Sequence, residues 1–186
     1  MGSIGYYSSQ NTMGKTAALA GWAEPVLAAF KKLEYGHIGD RFLRGRSLDI
    51  GCGTAFLTKT LQDAGVDAYG IDPDREAIEY GMKNYKFRNP SNLRVASMTG
   101  IPFHDEHFYT VTTCHIGDIV NYNIGTRVPF PNGDKSKAAR EVCRVLEKDG
   151  LYIAYDAEPV FDFSEDMEFL AAFPSTHSVV RIWKKK

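Results

Sequence analysis

The chain has 186 residues, of which 44% are hydrophobic and 24% charged, and its formal net charge is -1. That length fits one domain with a three-layer core, and the composition is that of a packed chain rather than a disordered one. Near-neutral charge supplies no broad attraction to phosphate backbones or anionic lipid, so neither nucleic acid nor a membrane surface is an expected partner.

Residues 13 to 35 carry Leu19, Trp22, Val26, Leu27, Phe30 and Leu33 at helical spacing, and Pro25 interrupts them, which predicts two short helices. Ser47 to Ile50 reads as a short buried strand running into Gly51-Cys52-Gly53. A helix follows with Leu57 and Leu61 on one face and Gly65 as its stop. Val66 to Ile71 makes a second strand, and Asp74 caps a helix carrying Ile78 and Met82. Leu93 to Met98 is the third strand, and Phe108 to His115, rich in β-branched and aromatic residues, is the fourth. Ser136 opens a helix with Ala139, Val142, Cys143 and Leu146 on one stripe; Gly150 ends it, and Leu151 to Tyr155 is the fifth strand.

Strands separated by helical crossovers require a mostly parallel sheet, because parallel neighbours need a long connection. The fold class is therefore α/β, a three-layer doubly wound Rossmann-like sheet. The tail from Asp156 is too short for another crossover and should close the sheet as an antiparallel hairpin, Met167 to Phe173 and Ser178 to Trp183, turning at Pro174 to His177. With no internal repeat or low-complexity linker, one domain over 1–186 is expected: a helical segment 1–44, a ligand-binding core 45–155 and a closing tail 156–186.

A doubly wound sheet binds its ligand beyond the carboxyl ends of its strands, where strand order reverses. There, Asp49-Ile50-Gly51-Cys52-Gly53 combines an acidic strand residue with two glycines at a sharp strand-to-helix turn, leaving backbone open to a ligand. Asp72 ends the second strand, 21 residues after Gly51, where a carboxylate can accept both hydroxyls of a ribose. A dinucleotide fingerprint would place a third glycine where Phe56 stands. Gly14-Lys15-Thr16 resembles the end of a P-loop, but Ser9 occupies the required upstream glycine. An acidic residue two before the first glycine suits a zwitterionic or cationic ligand better than a pyrophosphate.

Leu48-Asp49-Ile50-Gly51-Cys52-Gly53-Thr54-Ala55-Phe56-Leu57 resembles the first motif of the class I S-adenosylmethionine-dependent methyltransferases. Tyr69-Gly70-Ile71-Asp72 is similar to the family's ribose motif; Val95 to Met98 with Ile101 to Phe108 resembles its adenine loop, and Arg144 to Gly150 the turn before strand five. The resemblance implies S-adenosylmethionine as cofactor. It implies that Asp49 orients the glycine turn and helps hold the methionine ammonium, that Gly51 and Gly53 expose backbone to the amino-acid moiety, and that Asp72 takes the ribose. Pro73 would lie against the adenine, and Thr113 or Cys114 would offer carbonyls to the ammonium. Ser97 stands where the family often has an Asp, so the adenine contact passes to Ser97 itself or to the Met98 backbone. Ala55 replaces the third glycine and should narrow the methionine pocket.

His115 and Asp118 follow the fourth strand at the expected acceptor mouth and are the candidate catalytic pair, since an acceptor hydroxyl or ammonium must lose a proton. Either can equally be a hydrogen-bonded strand end or a turn cap. The acceptor pocket is expected from Gly117 to Lys135, from Asp156 to Phe163 and from the N-terminal segment, with Tyr122, Asn123 and Arg127 as substrate-binding candidates and Phe130, Phe161 and Phe163 as walls. Asn121-Tyr122-Asn123 is not the Pro-Pro-Tyr type of motif of methyltransferases acting on nucleobase or glutamine amino groups, which, with the near-neutral charge, argues against a nucleic-acid substrate, and a small-molecule acceptor is expected. A catalytically silent ligand sensor or scaffold of the same fold remains the alternative, with an NAD-dependent oxidoreductase behind it.

Cys52, Cys114 and Cys143 are widely spaced and odd in number, which suits reduced thiols and implies no metal site. No basic segment precedes an apolar one at the N-terminus, and no run approaches the ~18 apolar residues of a membrane span, so a cytoplasmic location is expected.

Overall fold

The computed structural model describes residues 45–114, 116, 132–156, 159, 161–163, 165–174 and 179–186. Seven strands form one sheet: β1 (Arg46–Ile50), β2 (Asp67–Asp72), β3 (Leu93–Val95), β4 (Phe108–Cys114), β5 (Leu146–Asp156), β6 (Met167–Pro174) and β7 (Val179–Lys185), in the order β3-β2-β1-β4-β5-β7-β6. β1 to β5 run parallel, and β7 enters antiparallel between β5 and β6. The chain thus winds outward from β1 to β3 on one side, then restarts at β4 on the other. Strand order reverses beside β1. The helices α1 (Phe56–Asp63), α2 (Arg75–Asn84) and α3 (Asn132–Val145) are crossover elements, while the two helices expected over residues 13 to 35 lie outside the described residues.

The period-two alternation of each strand feeds two cores, as a sheet covered on both faces requires. Leu48, Ile50, Val111, Tyr152 and Ala154 pack with Ala138, Ala139, Val142 and Val145 of α3. Ala68, Leu151, Ile153 and Tyr155 pack with Leu57 and Leu61 of α1. Register holds this arrangement, because Leu48 lies beside Tyr69 in β2 and Val111 in β4, and a one-residue slip would turn every apolar side chain to the wrong face.

Several expected boundaries move, each for a local reason. β3 stops at Val95 instead of Met98: the Ala96 amide makes a last bond to the Asp72 carbonyl, 3.0 Å, and the Gly100 amide then folds back on the Ser97 carbonyl, 3.0 Å. α3 starts at Asn132 rather than Ser136, and Leu146, expected on its stripe, opens β5. Gly150 lies within β5 and does not end a helix. Pairing passes from Phe108–Leu146 to Thr110–Leu151, so residues 147 to 150 bulge out; Asp149 turns to φ +61°, and a Cβ at Gly150 would stand 2.8 Å from the Glu147 carbonyl oxygen. Gly65 leaves α1 at φ +90°, and the Asp74 carboxylate accepts from the Glu76 and Ala77 amides at 2.9 and 3.1 Å, both as the sequence predicts. The closing hairpin strands also pair, β6 antiparallel with β7, with Pro174, expected in the turn, ending β6; residues 175–178 lie outside the described residues.

Two contacts position the loops around the strand ends. Arg144, in the last turn of α3, donates to the carbonyls of Ile101 (3.0 Å) and Phe103 (2.8 Å), to Asp105 and to Glu141, while Glu141 accepts from the Ile101 amide at 2.7 Å. This fork binds the segment before β4 to the helix. On the other side, α2 lies so close to the glycine turn that a Cβ at Gly81 would meet the Thr54 carbonyl oxygen at 2.1 Å. Gly81→Ala is therefore expected to push α2 off the turn and lower the unfolding free energy by roughly 2–3 kcal/mol. An unchanged urea midpoint would show that the helix can slide to make room.

Candidate functional site

The turn after β1 needs three left-handed residues in five: Gly51 at φ +72°, Gly53 at +55° and Ala55 at +59°. A side chain costs about 1–2 kcal/mol in that conformation, which is why glycine occupies the first two positions. Ala55 carries the cost, but its methyl is fully buried against Ile78 and Leu93. It fills the packing under α2 and does not narrow the mouth of the turn as expected. At Gly51 space is limiting as well, since a Cβ would stand 2.8 Å from Cγ2 of Ile116.

The turn hangs from the end of β2. Both the Gly51 and Cys52 amides donate to the Ile71 carbonyl, at 2.9 and 3.1 Å. The Gly53 amide donates to Oδ2 of Asp72 and the Asp74 amide to Oδ1, each at 2.8 Å. Burial pushes the Asp72 carboxyl up, and the two backbone donors oppose that shift. Each oxygen retains a lone pair, because a carboxylate has about four acceptor positions.

Asp49 lies behind the turn, 3% exposed, with Oδ2 accepting from the Thr58 hydroxyl at 3.1 Å. Burial pushes its carboxyl up to about 7; hydrogen bonds from Thr58 and Thr112 oppose the rise, and the negative charge of Asp72 adds to it. No described Lys or Arg pairs with this carboxylate. A desolvated acid of this kind is uncompensated until a cation or a proton reaches it.

The sequence-predicted residues that the structure describes converge on one edge. Asp49, Gly51, Gly53, Asp72 and Pro73 surround the ends of β1 and β2, and Ser97 and Met98 follow β3. The Ser97 hydroxyl is exposed and lies 2.9 Å from that of Thr99, whereas the Met98 side chain is buried in the α3-face core. Thr113 spends its hydroxyl on Tyr152, 2.8 Å away. Cys114 at the end of β4 and Cys52 in the turn are both pushed up by burial, with Asp49 adding to each, so neither thiol is an ionised nucleophile at neutral pH. His115, Asp118, Tyr122, Asn123, Arg127 and Phe130 lie outside the described residues. Phe161 and Phe163, expected as pocket walls, instead pack in the core, with ring centroids 6.0 and 5.0 Å from Tyr152. Sequence reasoning missed Thr58, Thr112, Gly81 and Ile116, whose only signal is their contact with the turn or with Asp49. Asp156, the first residue of an expected acceptor-pocket segment, is buried at the end of β5, and its carbonyl accepts from Arg181 at 2.9 Å.

Residues 48–154 match a family model described as a methyltransferase domain. Among curated proteins, the chain is 28% identical over 146 residues to the sterol 4-C-methyltransferase strm-1 of Caenorhabditis elegans, covering 70% of this chain and 40% of that protein. It is 27% identical over 123 residues to the uncharacterized methyltransferase YcgJ of Bacillus subtilis, covering 63% and 44%. The chain thus spans less than half the length of these relatives. Among solved structures, a TehB-like S-adenosylmethionine-dependent methyltransferase from Corynebacterium glutamicum aligns with TM-score 0.62 at 16% identity, over 99% of this chain and 100% of that one. A methyltransferase from Methanosarcina mazei aligns with TM-score 0.59 at 16% identity, over 81% and 97%. At these identities the structural likeness carries the fold.

Asp49 should govern how the unliganded chain responds to pH. Its folded pKa of about 7 lies above the ordinary 3.8, so the folded state binds the proton more tightly. The stability this group contributes is complete below about pH 4 and is lost as pH rises through about 7. Asp49→Asn removes the ionising group while keeping an acceptor for Thr58. It should make the unliganded chain more stable than the parent at pH 8, by a few kcal/mol at most, with the difference vanishing near pH 4. Denaturant melts across that range would refute this if the difference did not change with pH.

Proposed function

Because the chain belongs to the methyltransferase domain family, we propose that it transfers the methyl group of S-adenosylmethionine to a small-molecule acceptor. The observation that carries this reading is Asp49, a buried carboxyl with no described cation partner, set directly behind a turn whose first glycine leaves no room for a Cβ. That donor set fits an amino-acid ammonium, and the free lone pairs of Asp72 fit a ribose diol. The cofactor supplies a methyl carbon already activated on a sulfonium.

The chain's own residues would then bind and orient. Gly51 and Gly53 present backbone to the methionine part, Asp72 accepts from the ribose hydroxyls, and Pro73, Ser97 and the Met98 backbone border the adenine. Carbonyls of Thr113 and Cys114 would complete the ammonium site, since the Thr113 hydroxyl is already engaged. Holding acceptor and methyl in line can supply up to ~7–11 kcal/mol of the barrier, so much of the rate can come from position alone. His115 and Asp118, following β4, would hold the proton that an acceptor nitrogen or oxygen sheds. Tyr122, Asn123 and Arg127, together with the N-terminal segment, would set acceptor choice, and the chain would act as one domain. No helix among the described residues is long and apolar enough to cross a membrane. We assign the protein to the cytoplasm, which the three free thiols suit.

Calorimetric titration with S-adenosylhomocysteine tests the cofactor half of this reading. Asp72→Ala should weaken binding by about 2–3 kcal/mol, as expected when hydroxyls lose a charged acceptor, and Asp72→Asn should recover part of the loss. Equal affinity in folded Asp72→Ala protein would mean that the ribose lies elsewhere.

The acceptor half is tested by screening amines, phenols and thiols for release of S-adenosylhomocysteine. Tyr122→Ala with Arg127→Ala should lower turnover of the acceptor so found at least ten-fold and leave cofactor affinity within a few fold. Loss of cofactor binding in the folded variant would put these residues in the cofactor pocket instead.

A further inference from the structure

At the end of the sheet opposite the glycine turn, the segment entering β4 brings two imidazoles together. Nδ1 of His107 lies 2.6 Å from Nε2 of His104, with the rings nearly perpendicular at 84°. Two ring nitrogens at that distance cannot both present bare lone pairs, nor can both carry hydrogens. One of them must therefore donate a hydrogen to the other. On His104, Nδ1 is 2.8 Å from the Asp105 carbonyl, which can only accept, so Nδ1 carries a hydrogen, and in the neutral ring Nε2 turns its lone pair toward His107. A ring N–H held by a backbone carbonyl is also how metal-binding histidines have their free nitrogen aimed.

His107 is held as firmly. Its ring stacks on Phe103 at 5.5 Å and 10°, and stands edge-on to Tyr69 and Phe108 at 5.8 and 4.7 Å. Arg94 lies over the same Phe103 ring at 4.3 Å. The His107 amide donates to the Val145 carbonyl at 2.8 Å and the Glu106 amide to that of Arg144 at 2.9 Å, which ties the backbone to the end of α3. Packing and backbone bonds therefore preset one nitrogen, while the exposed His104 is free to adjust by a small rotation.

The geometry points to a two-histidine chelate for a divalent transition ion of the zinc, nickel or copper class, with His104 Nε2 and His107 Nδ1 as protein ligands and water in the remaining positions. Metal–nitrogen bonds of 2.0–2.1 Å at angles between square and tetrahedral place the two nitrogens about 2.9–3.4 Å apart, so the pair must open by less than about 1 Å. The hydrogen now shared between the rings moves to Nε2 of His107, leaving both ligands neutral with no net proton change. Imidazole is a preferred ligand for these ions, and copper should bind tightest among them. Among the described residues no cluster of three or more His, Cys, Asp or Glu side chains surrounds the site. Arg46 and Arg94 also face His107, opposed by Asp67. Two protein ligands in mixed charge suit an exchangeable ion held at micromolar strength rather than a permanent structural one. The site is remote from the cofactor edge and does not depend on the methyl-transfer reading.

Zinc, nickel and copper(II) salts are titrated calorimetrically, in a non-coordinating buffer, into the full chain, His104→Gln and His107→Gln. The parent should bind one ion at this site with a micromolar Kd, tightest for copper, and each variant should weaken that event at least ten-fold while keeping the parent's thermal melt. The copper(II) electron paramagnetic resonance spectrum should show coupling to two imidazole nitrogens, reduced to one in His104→Gln. Should the His107 substitution disturb packing, the exposed His104 position decides alone. Parent-like affinity in His104→Gln, or a nitrogen coupling pattern that this substitution leaves unchanged, overturns the proposal.

Discussion

The glycine turn is suspended from the end of β2, and the rest of the site depends on that suspension. Amides of Gly51 and Cys52 share the Ile71 carbonyl, and the Gly53 amide takes Oδ2 of Asp72. Within the turn the Ala55 amide donates to the Cys52 carbonyl at 2.8 Å, and the external acceptors hold the rest of its shape. Asp72 therefore acts on the site before any ligand does: it ties two strand ends together and still has lone pairs to offer. Gly81 makes the same point from the other side, because α2 can support the turn at Thr54 only where a side chain is missing.

Asp49 shows the tension between stability and binding that such a site contains. Burial raises its carboxyl toward neutrality, and the hydroxyls of Thr58 and Thr112 compensate only in part. A fold selected for stability alone would replace it with a neutral isostere. A site that receives an ammonium has reason to keep it, since a desolvated carboxylate gains most from a cation that arrives with the ligand. In the proposed reading, the charge that strains the unliganded chain is the one that the cofactor's ammonium would satisfy.

Away from the turn, the molecule is organised by the join between α3 and the segment before β4. The Glu141–Arg144 fork captures the backbone of residues 101 to 105. The bulge at residues 147 to 150 then lets the chain pass from helix to strand without losing the β4–β5 register. This join fixes where β4 begins, and so where its end stands beside that of β1. It also fixes the backbone that carries His107, which is why an exposed loop can hold one imidazole in a defined place.

Much of the fold was legible in the sequence because its determinants are local. The short buried run Ser47 to Ile50, the β-branched and aromatic run from Phe108, the Asp74 cap, the Gly65 stop and the Gly51–Gly53 turn each depend on a few consecutive residues, and the parallel order follows from the crossovers they define. Asp49 and Asp72 could be singled out for the same reason, being acids at strand ends next to a turn. Other features are settled only by residues distant in the chain. Leu146 suits a helical stripe as well as a strand, and Gly150 suits a helix stop as well as a bulge, until pairing with Phe108 and Thr110 decides between them. Phe161 and Phe163 have the composition of a pocket wall, and Tyr152 with Trp183 makes them core. The raised carboxyl of Asp49, the close approach at Gly81 and the meeting of His104 with His107 arise from burial, close packing and ring orientation. Those quantities exist only once distant segments have displaced water from one another.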